Sequence, residues 1–162
     1  VANGGSVTLK ECGITEFLAG GDFNYLNPTR DMSAEEKKEL MRKRFFADDF
    51  FLSANAVTID GRIFQEDGAS TRVAPMIYGP DNVIIIIGKN KIVDTEGQAK
   101  ARIKKVAPQN CAKAGFDTPC AVDGCCHDCR VPARSCCTSV TLNYSRIPDR
   151  IKVIIVNEDL GI

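Results

Sequence analysis

Six of the eight cysteines in this 162-residue chain fall close together: Cys120, Cys125, Cys126, Cys129, Cys136 and Cys137. In Cys126-His-Asp-Cys129 a two-residue gap lets both thiolates turn toward one ion, and Cys120 and Cys136 can complete a tetrahedral set. The same four thiolates can hold a cubane or two-iron cluster instead, so zinc and iron–sulfur both stay open. Gly124, Pro132 and a shortage of apolar residues deny the segment a core of its own. A bound ion would replace that core, its binding free energy appearing as folding free energy. The plain alternative is a loop of free or disulfide-paired cysteines, in which the doublets Cys125-Cys126 and Cys136-Cys137 pair if the loop folds back.

His127 is the one histidine, so a Ser-His-Asp or Cys-His machine can exist only in this loop. We read it as an exposed or supporting neighbour of the thiolates rather than a ligand. A general acid or base elsewhere must be a carboxylate, Lys or Tyr. A second candidate lies at Gly4-Gly5-Ser6, a turn that opens a helix and can present free N–H groups to a carboxylate, phosphate or CoA-like group. It lacks the Gly-Lys-Ser/Thr ending of a Walker loop and the third glycine of a dinucleotide fingerprint. Asn55 follows a buried strand, where ligands collect in open α/β sheets, and Arg72 can clamp a carboxylate bidentately. A turn-forming Asn and a surface ion pair are their ordinary alternatives. Glu158-Asp159 emerge after the last strand, and Lys10 and Glu11 lie one turn beyond the anion site. Arg130, Arg134, Arg146, Arg150 and Lys152 are expected on a solvated surface.

The elements that must position these residues alternate between strands and helices. Ser6 is expected to cap one helix running past Phe17 to Gly20-Gly21, with Thr8 and Glu11 spaced as a capping box. Ser33-Ala-Glu-Glu36 is a second box, opening a helix to about Phe46 whose apolar stripe is Leu40, Met41 and Phe45. Phe50 to Leu52 reads as a short buried strand, and Val57 to Phe64 as a hairpin around Asp60-Gly61. Val73 to Tyr78 reads as another strand, turned by Gly79-Pro80. Val83 to Ile87 is five β-branched residues without polar alternation, a parallel strand covered on both faces. A helix from about Thr95 to Val106 follows, then the cysteine loop from Cys111 to Cys137. Val140 to Tyr144 and Ile151 to Val156 read as final strands, the latter also covered on both faces. Such alternation gives an open, mostly parallel α/β sheet in a single domain.

Composition excludes several classes. Apolar residues make up 44% and charged residues 26%, against disorder. The 21 basic and 21 acidic residues cancel, so nothing suggests a nucleic-acid partner. The longest apolar run, Val83 to Ile87, is far too short to insert in a membrane. Cysteines gathered in one loop differ from the dispersed staples of a secreted scaffold, and a cytoplasmic location is expected. Val1 stands where a Met would begin a chain, and Val-Ala-Asn-Gly-Gly reads like the end of a strand, so an N-terminal segment is expected to be missing.

Seven phrases together resemble the lactate-utilisation (LUD, LutC-like) domain family. They run from Gly4-Gly5-Ser6-Val7-Thr8-Leu9-Lys10-Glu11 through Ala54-Asn55-Ala56-Val57-Thr58 with Asp60-Gly61, Arg72-Val73-Ala74 and Tyr78-Gly79-Pro80. Gly88-Lys89-Asn90-Lys91-Ile92-Val93, Thr118-Pro119-Cys120 with the cysteine loop, and Asn157-Glu158-Asp159-Leu160-Gly161 complete the set. The resemblance implies a Rossmann-like three-layer α/β/α sandwich of the NagB, ribose-phosphate isomerase and CoA-transferase group, with a strand–helix segment ahead of the Gly-Gly-Ser phrase. It implies a Cys-x5-Cys-x2-Cys-x6-Cys pattern, matched by Cys120, Cys126, Cys129 and Cys136, although the adjacent Cys125 and Cys137 leave open which of each pair is the ligand. It also implies a link to lactate oxidation within multi-protein redox systems. The expected partners are therefore a small anionic metabolite, held by Gly4, Gly5, Ser6, Asn55 and Arg72, and other subunits of a redox complex, with a homo-oligomer left open. A metal-stapled docking subunit without enzymatic activity is the competing reading. An isomerase or CoA-transferase-like enzyme using Glu11 is the third.

Overall fold

The computed structural model describes all 162 residues and contains two four-stranded sheets. In the first, β1 (Ala2–Asn3), β2 (Asp49–Leu52), β5 (Asn82–Gly88) and β8 (Ile151–Val156) run parallel in the order β1-β2-β5-β8. The second orders β6 (Ile92–Val93), β3 (Ala56–Thr58), β4 (Ile63–Asp67) and β7 (Thr138–Leu142) as β6-β3-β4-β7, and only its β3–β6 pair is parallel. The expected α/β class and parallel sheet are observed. The second sheet is an addition, with the Asp60-Gly61 hairpin between β3 and β4 and Gly61 in the left-handed region at φ +89.

One core lies between the sheets. Phe50, Leu52, Val83, Ile85 and Ile87 from the first meet Val57 and Ile63 from the second, with Val73 and Met76 of α4 (Val73–Ile77) closing it. Each such side chain contributes roughly 1.5–3 kcal/mol on burial. A smaller cluster of Ala56, Phe64 and Ala99 packs α5 (Glu96–Ala114) on the other face of the second sheet. β5 is covered as its sequence demands, but β8 is not: Val153, Ile154 and Ile155 are all exposed. The expected burial of β8 on both faces is overturned because it is the edge strand, packed chiefly on β5.

Three helical expectations also change, and one holds. The first helix breaks into α1 (Val7–Glu11) and α2 (Ile14–Gly20) at Gly13, whose φ of +70 ends one and begins the other. Its capping box does not form, since the buried Thr8 hydroxyl accepts from Lys91 and the Glu11 carboxylate accepts from the Gly161 amide. α3 (Ala34–Lys43) keeps its Ser33–Glu36 box and continues as a 3-10 turn to Phe46. α5 keeps its Thr95 cap but runs past Val106 and through Pro108, because Val106, Pro108 and Cys111 share its buried side.

The segment after Arg72 is helix α4, not a strand. Asp67 Oδ2, at the end of β4, accepts the amides of Arg72 at 3.0 Å and Val73 at 3.1 Å. Pro75 falls in the first turn, where its missing N–H costs nothing. Arg150 closes the other end, donating to the carbonyls of Met76 (3.0 Å), Pro75 (3.3 Å) and Pro80 (2.9 Å). It is therefore buried rather than a surface residue. Asp67→Ala is expected to lower unfolding free energy by about 1 kcal/mol in chemical denaturation, and an unchanged value would show that α4 forms without this cap.

Candidate functional site

A cavity of about 640 Å³ opens beyond the carboxyl ends of β1 and β2. Of the five residues expected to hold a ligand, Gly5, Ser6, Asn55 and Arg72 line it, although they come from three distant stretches of chain. Gly4 lies behind them, buried, its amide continuing the β1 ladder to the Phe51 carbonyl at 2.8 Å. A Cβ on Gly4 would stand 2.6 Å from Arg72 Cγ, whereas one on Gly5 would meet nothing within 4 Å. The first glycine thus admits the Arg72 stem, and the second faces the cavity.

Arg72 is incompletely compensated. It donates to the Glu66 carbonyl and stands 3.9 Å from Asp67 Oδ2, yet its Nε is buried without a hydrogen-bond partner. Burial lowers its pKa below the ordinary arginine value. Asn55 uses Oδ1 to accept the Glu66 amide at 2.8 Å, and its backbone carbonyl accepts from Arg102 Nη1 at 2.6 Å. Its side-chain NH2 makes no protein hydrogen bond.

The cavity also contains a residue that sequence reasoning passed over. Lys91 follows β5, is 4% exposed, and donates to Thr8 Oγ1 at 2.7 Å and Ser53 Oγ at 3.0 Å. Burial, reinforced by Arg102 and Arg72, pulls its pKa down to about 8. The rule that singled out Asn55, position beyond the carboxyl end of a buried strand, also fits Lys91. Gly161, at φ +68, passes close to Thr8 and Lys91, and Asn90 pins the adjoining Leu160 by two hydrogen bonds of 3.2 and 3.3 Å. Lys10 lines the cavity; Glu11, Glu158 and Asp159 do not.

A second cavity of about 260 Å³ adjoins the first, sharing Glu66, Ile103, Ala107, Ser135 and Cys136 as a wall. Cys111, Cys120, Cys126, Cys129 and Cys136 line it, while Cys125 and Cys137 stand outside, exposed. All eight cysteines are free. Cys120 sits in α6 (Pro119–Asp123), and Cys111 reaches the site because α5 extends past Pro108; its Sγ lies 3.0 Å from Ser135 Oγ. Burial pushes the Cys136 thiol up to about 11. His127 turns Nε2 toward Asp123 Oδ2 at 2.7 Å. By type these donors suit a soft metal or cluster. By position they are spread around the cavity, and no three His, Cys, Asp or Glu side chains converge closely enough to hold an ion.

The loop has ties of its own. Arg134, expected on the surface, is half-buried and donates to the Cys129 and Cys136 carbonyls, drawing the two ends of the segment together. Lys104 on α5 meets Asp128 at 2.8 Å, and the Cys137 amide donates to the Asp67 carbonyl at 2.9 Å.

Residues 1–156 match the LUD domain family. The chain belongs to the LUD domain family. That membership associates it with lactate utilisation. The LUD domain is also similar to the crystal structure of a DUF162 family protein from Deinococcus radiodurans, at 15% identity and a TM-score of 0.44, covering 97% of this chain and 87% of that one. No curated protein matches it. No helix of this LUD domain is long and apolar enough to cross a membrane.

Two measurements probe this geometry. Gly4→Ala is expected to cost roughly 1–3 kcal/mol through its collision with Arg72, and Gly5→Ala close to nothing; equal costs in denaturation would refute the packing role. Lys91 loses its proton near pH 8 when folded and near 10.5 when unfolded, so between these values the unfolded chain holds the extra proton and stability rises with pH. The stability difference between wild type and Lys91→Met should therefore shift in favour of wild type across that window, as read by denaturation at successive pH values.

Proposed function

We propose that this LUD domain binds a small carboxylate metabolite of the lactate–pyruvate class in the larger cavity, beside a cysteine-lined pocket that takes a metal ion or iron–sulfur cluster. The observation that carries this reading is two cations on one cavity wall: Lys91, buried and hydrogen-bonded to hydroxyls, and the half-buried Arg72, whose ion pair with Asp67 is long at 3.9 Å. A buried charge is costly unless paired, and an incoming carboxylate would supply the missing partner. Gly5 and Ser6 offer backbone and hydroxyl groups, and Asn55 a free NH2. The five-residue α1 is too short for its dipole to dominate, so side-chain charge is the main attraction.

Cys120, Cys126, Cys129 and Cys136 would hold the metal or cluster after the loop draws inward, which their present spacing requires. A cluster would supply one-electron transfer; zinc would supply a staple. The shared Ser135–Cys136 wall favours the redox version, since it sets the Cys136 thiol against the metabolite cavity. Free thiols fit a reducing compartment, the cytoplasm.

The docking-subunit reading has one observation in its favour: the exposed apolar row Ile147, Val153, Ile154 and Ile155 at the open edge of the parallel sheet. Screening lactate, pyruvate, CoA esters and sugar phosphates by thermal unfolding separates the two. A cavity ligand at a hundred times its Kd should stabilise wild type by about 2.7 kcal/mol and Arg72→Gln far less. No response to any of them would favour docking. Anaerobic purification with elemental analysis should find iron or zinc that Cys126→Ser loses and Cys125→Ser keeps; a metal-free wild type would remove the inorganic centre.

A further inference from the structure

The partners of Lys91 are both hydroxyls, and this sets it apart from a lysine held by a carboxylate. Thr8 Oγ1 and Ser53 Oγ accept from an ammonium at 2.7 and 3.0 Å, and either can equally donate to the lone pair of a neutral amine. The charged groups around it come from three elements. Arg102 on α5 and Arg72 at the start of α4 oppose its protonation, while Glu11 and Cys12 on the α1 side favour it more weakly. Burial is the larger cause and the arginines add to it, so the amine is neutral at lower pH than an exposed lysine. Gly161 leaves room for no side chain beside Nζ, and Lys91 is among the residues that line the cavity.

We propose that Lys91 is a carbonyl-binding nucleophile that condenses with a small 2-oxo carboxylate to form an imine. The lone pair on Nζ attacks the carbonyl carbon, and the C=O π pair moves to oxygen, which takes a proton to give a carbinolamine. That hydroxyl then leaves as water, with Nζ forming the C=N bond and releasing its remaining proton. The step is redox-neutral and consumes no co-reactant. Thr8 and Ser53 are placed to pass the protons, and Arg72 to hold the carboxylate. The inference rests on the carboxylate-binding reading of the cavity and narrows its substrate class to 2-oxo rather than 2-hydroxy acids.

The test is reductive trapping. Wild-type protein is incubated with pyruvate near neutral pH, treated with cyanoborohydride and mapped by peptide mass spectrometry. Expected is one reduced adduct on Lys91, formed on the order of 100-fold faster than on exposed lysines, as the larger neutral fraction dictates. Lactate, which has no carbonyl, should give none, and Lys91→Arg should lose the adduct. The wild-type map alone locates the adduct, so the result does not depend on that variant folding. Labelling spread over exposed lysines, or unchanged in a folded Lys91→Arg, would overturn the proposal. If pyruvate raises the unfolding temperature while Lys91 stays unlabelled, covalent capture is wrong and the anion cavity survives. If neither occurs, both fall.

Discussion

The parallel register of β1, β2 and β5 is the constraint on which the site depends. Pairing Ala2 with Phe50 and Leu52 with Ile85 brings three carboxyl ends side by side, so Gly5, Ser53 and Lys91 converge although some 40 residues separate each from the next. The register is held by apolar burial rather than by the site. Phe50, Leu52, Val83, Ile85 and Ile87 point into one core, and slipping a strand by one residue would turn its core set to the opposite face. The polar edge is therefore free to carry unpaired charge.

That freedom is visible in the electrostatics. The zero net charge conceals an uneven use of arginine, for five of the ten, Arg44, Arg72, Arg102, Arg134 and Arg150, donate to backbone carbonyls instead of serving as solvated surface. A guanidinium has five N–H donors in a fixed fork and suits carbonyls that helices and loops leave without partners. Arg150 finishes α4, Arg102 ties the turn after β2 to that after β5, and Arg134 gathers the cysteine segment. Arg72 is the exception, keeping a buried donor unused at the cavity wall.

The cysteine segment shows the same economy of ties. Poor in apolar residues, it hangs on Arg134, the Lys104–Asp128 pair, the Cys111–Ser135 contact and one backbone hydrogen bond to Asp67, which leaves its thiols around a cavity rather than on a point. Exposed ion pairs of this kind are worth little individually. Segments held by few contacts open and rearrange most readily.

Local pattern by itself determined the α/β class, the buried strand β5, the Asp60-Gly61 hairpin, the Ser33 and Thr95 helix starts and the family resemblance. Each rests on neighbours within a few residues: a run of β-branched side chains, a turn dipeptide, or a cap with its box partner. Four of the five chosen ligand residues line one cavity, Asn55 as its position beyond a buried strand suggests, and Gly5, Ser6 and Arg72 through the strand register and the α4 turn that bring them there. Tertiary structure decided the rest. Val73 to Ile77 became helix because Asp67 caps it from a strand and Arg150 closes it from far along the chain. β8 is exposed because nothing covers its edge of the sheet. Lys91 and Cys111 joined the two cavities through Thr8, Ser53 and Ser135, partners 83, 38 and 24 residues away. Side-chain types state what a group can bond, but only the packed chain brings a remote donor within hydrogen-bonding distance of its acceptor.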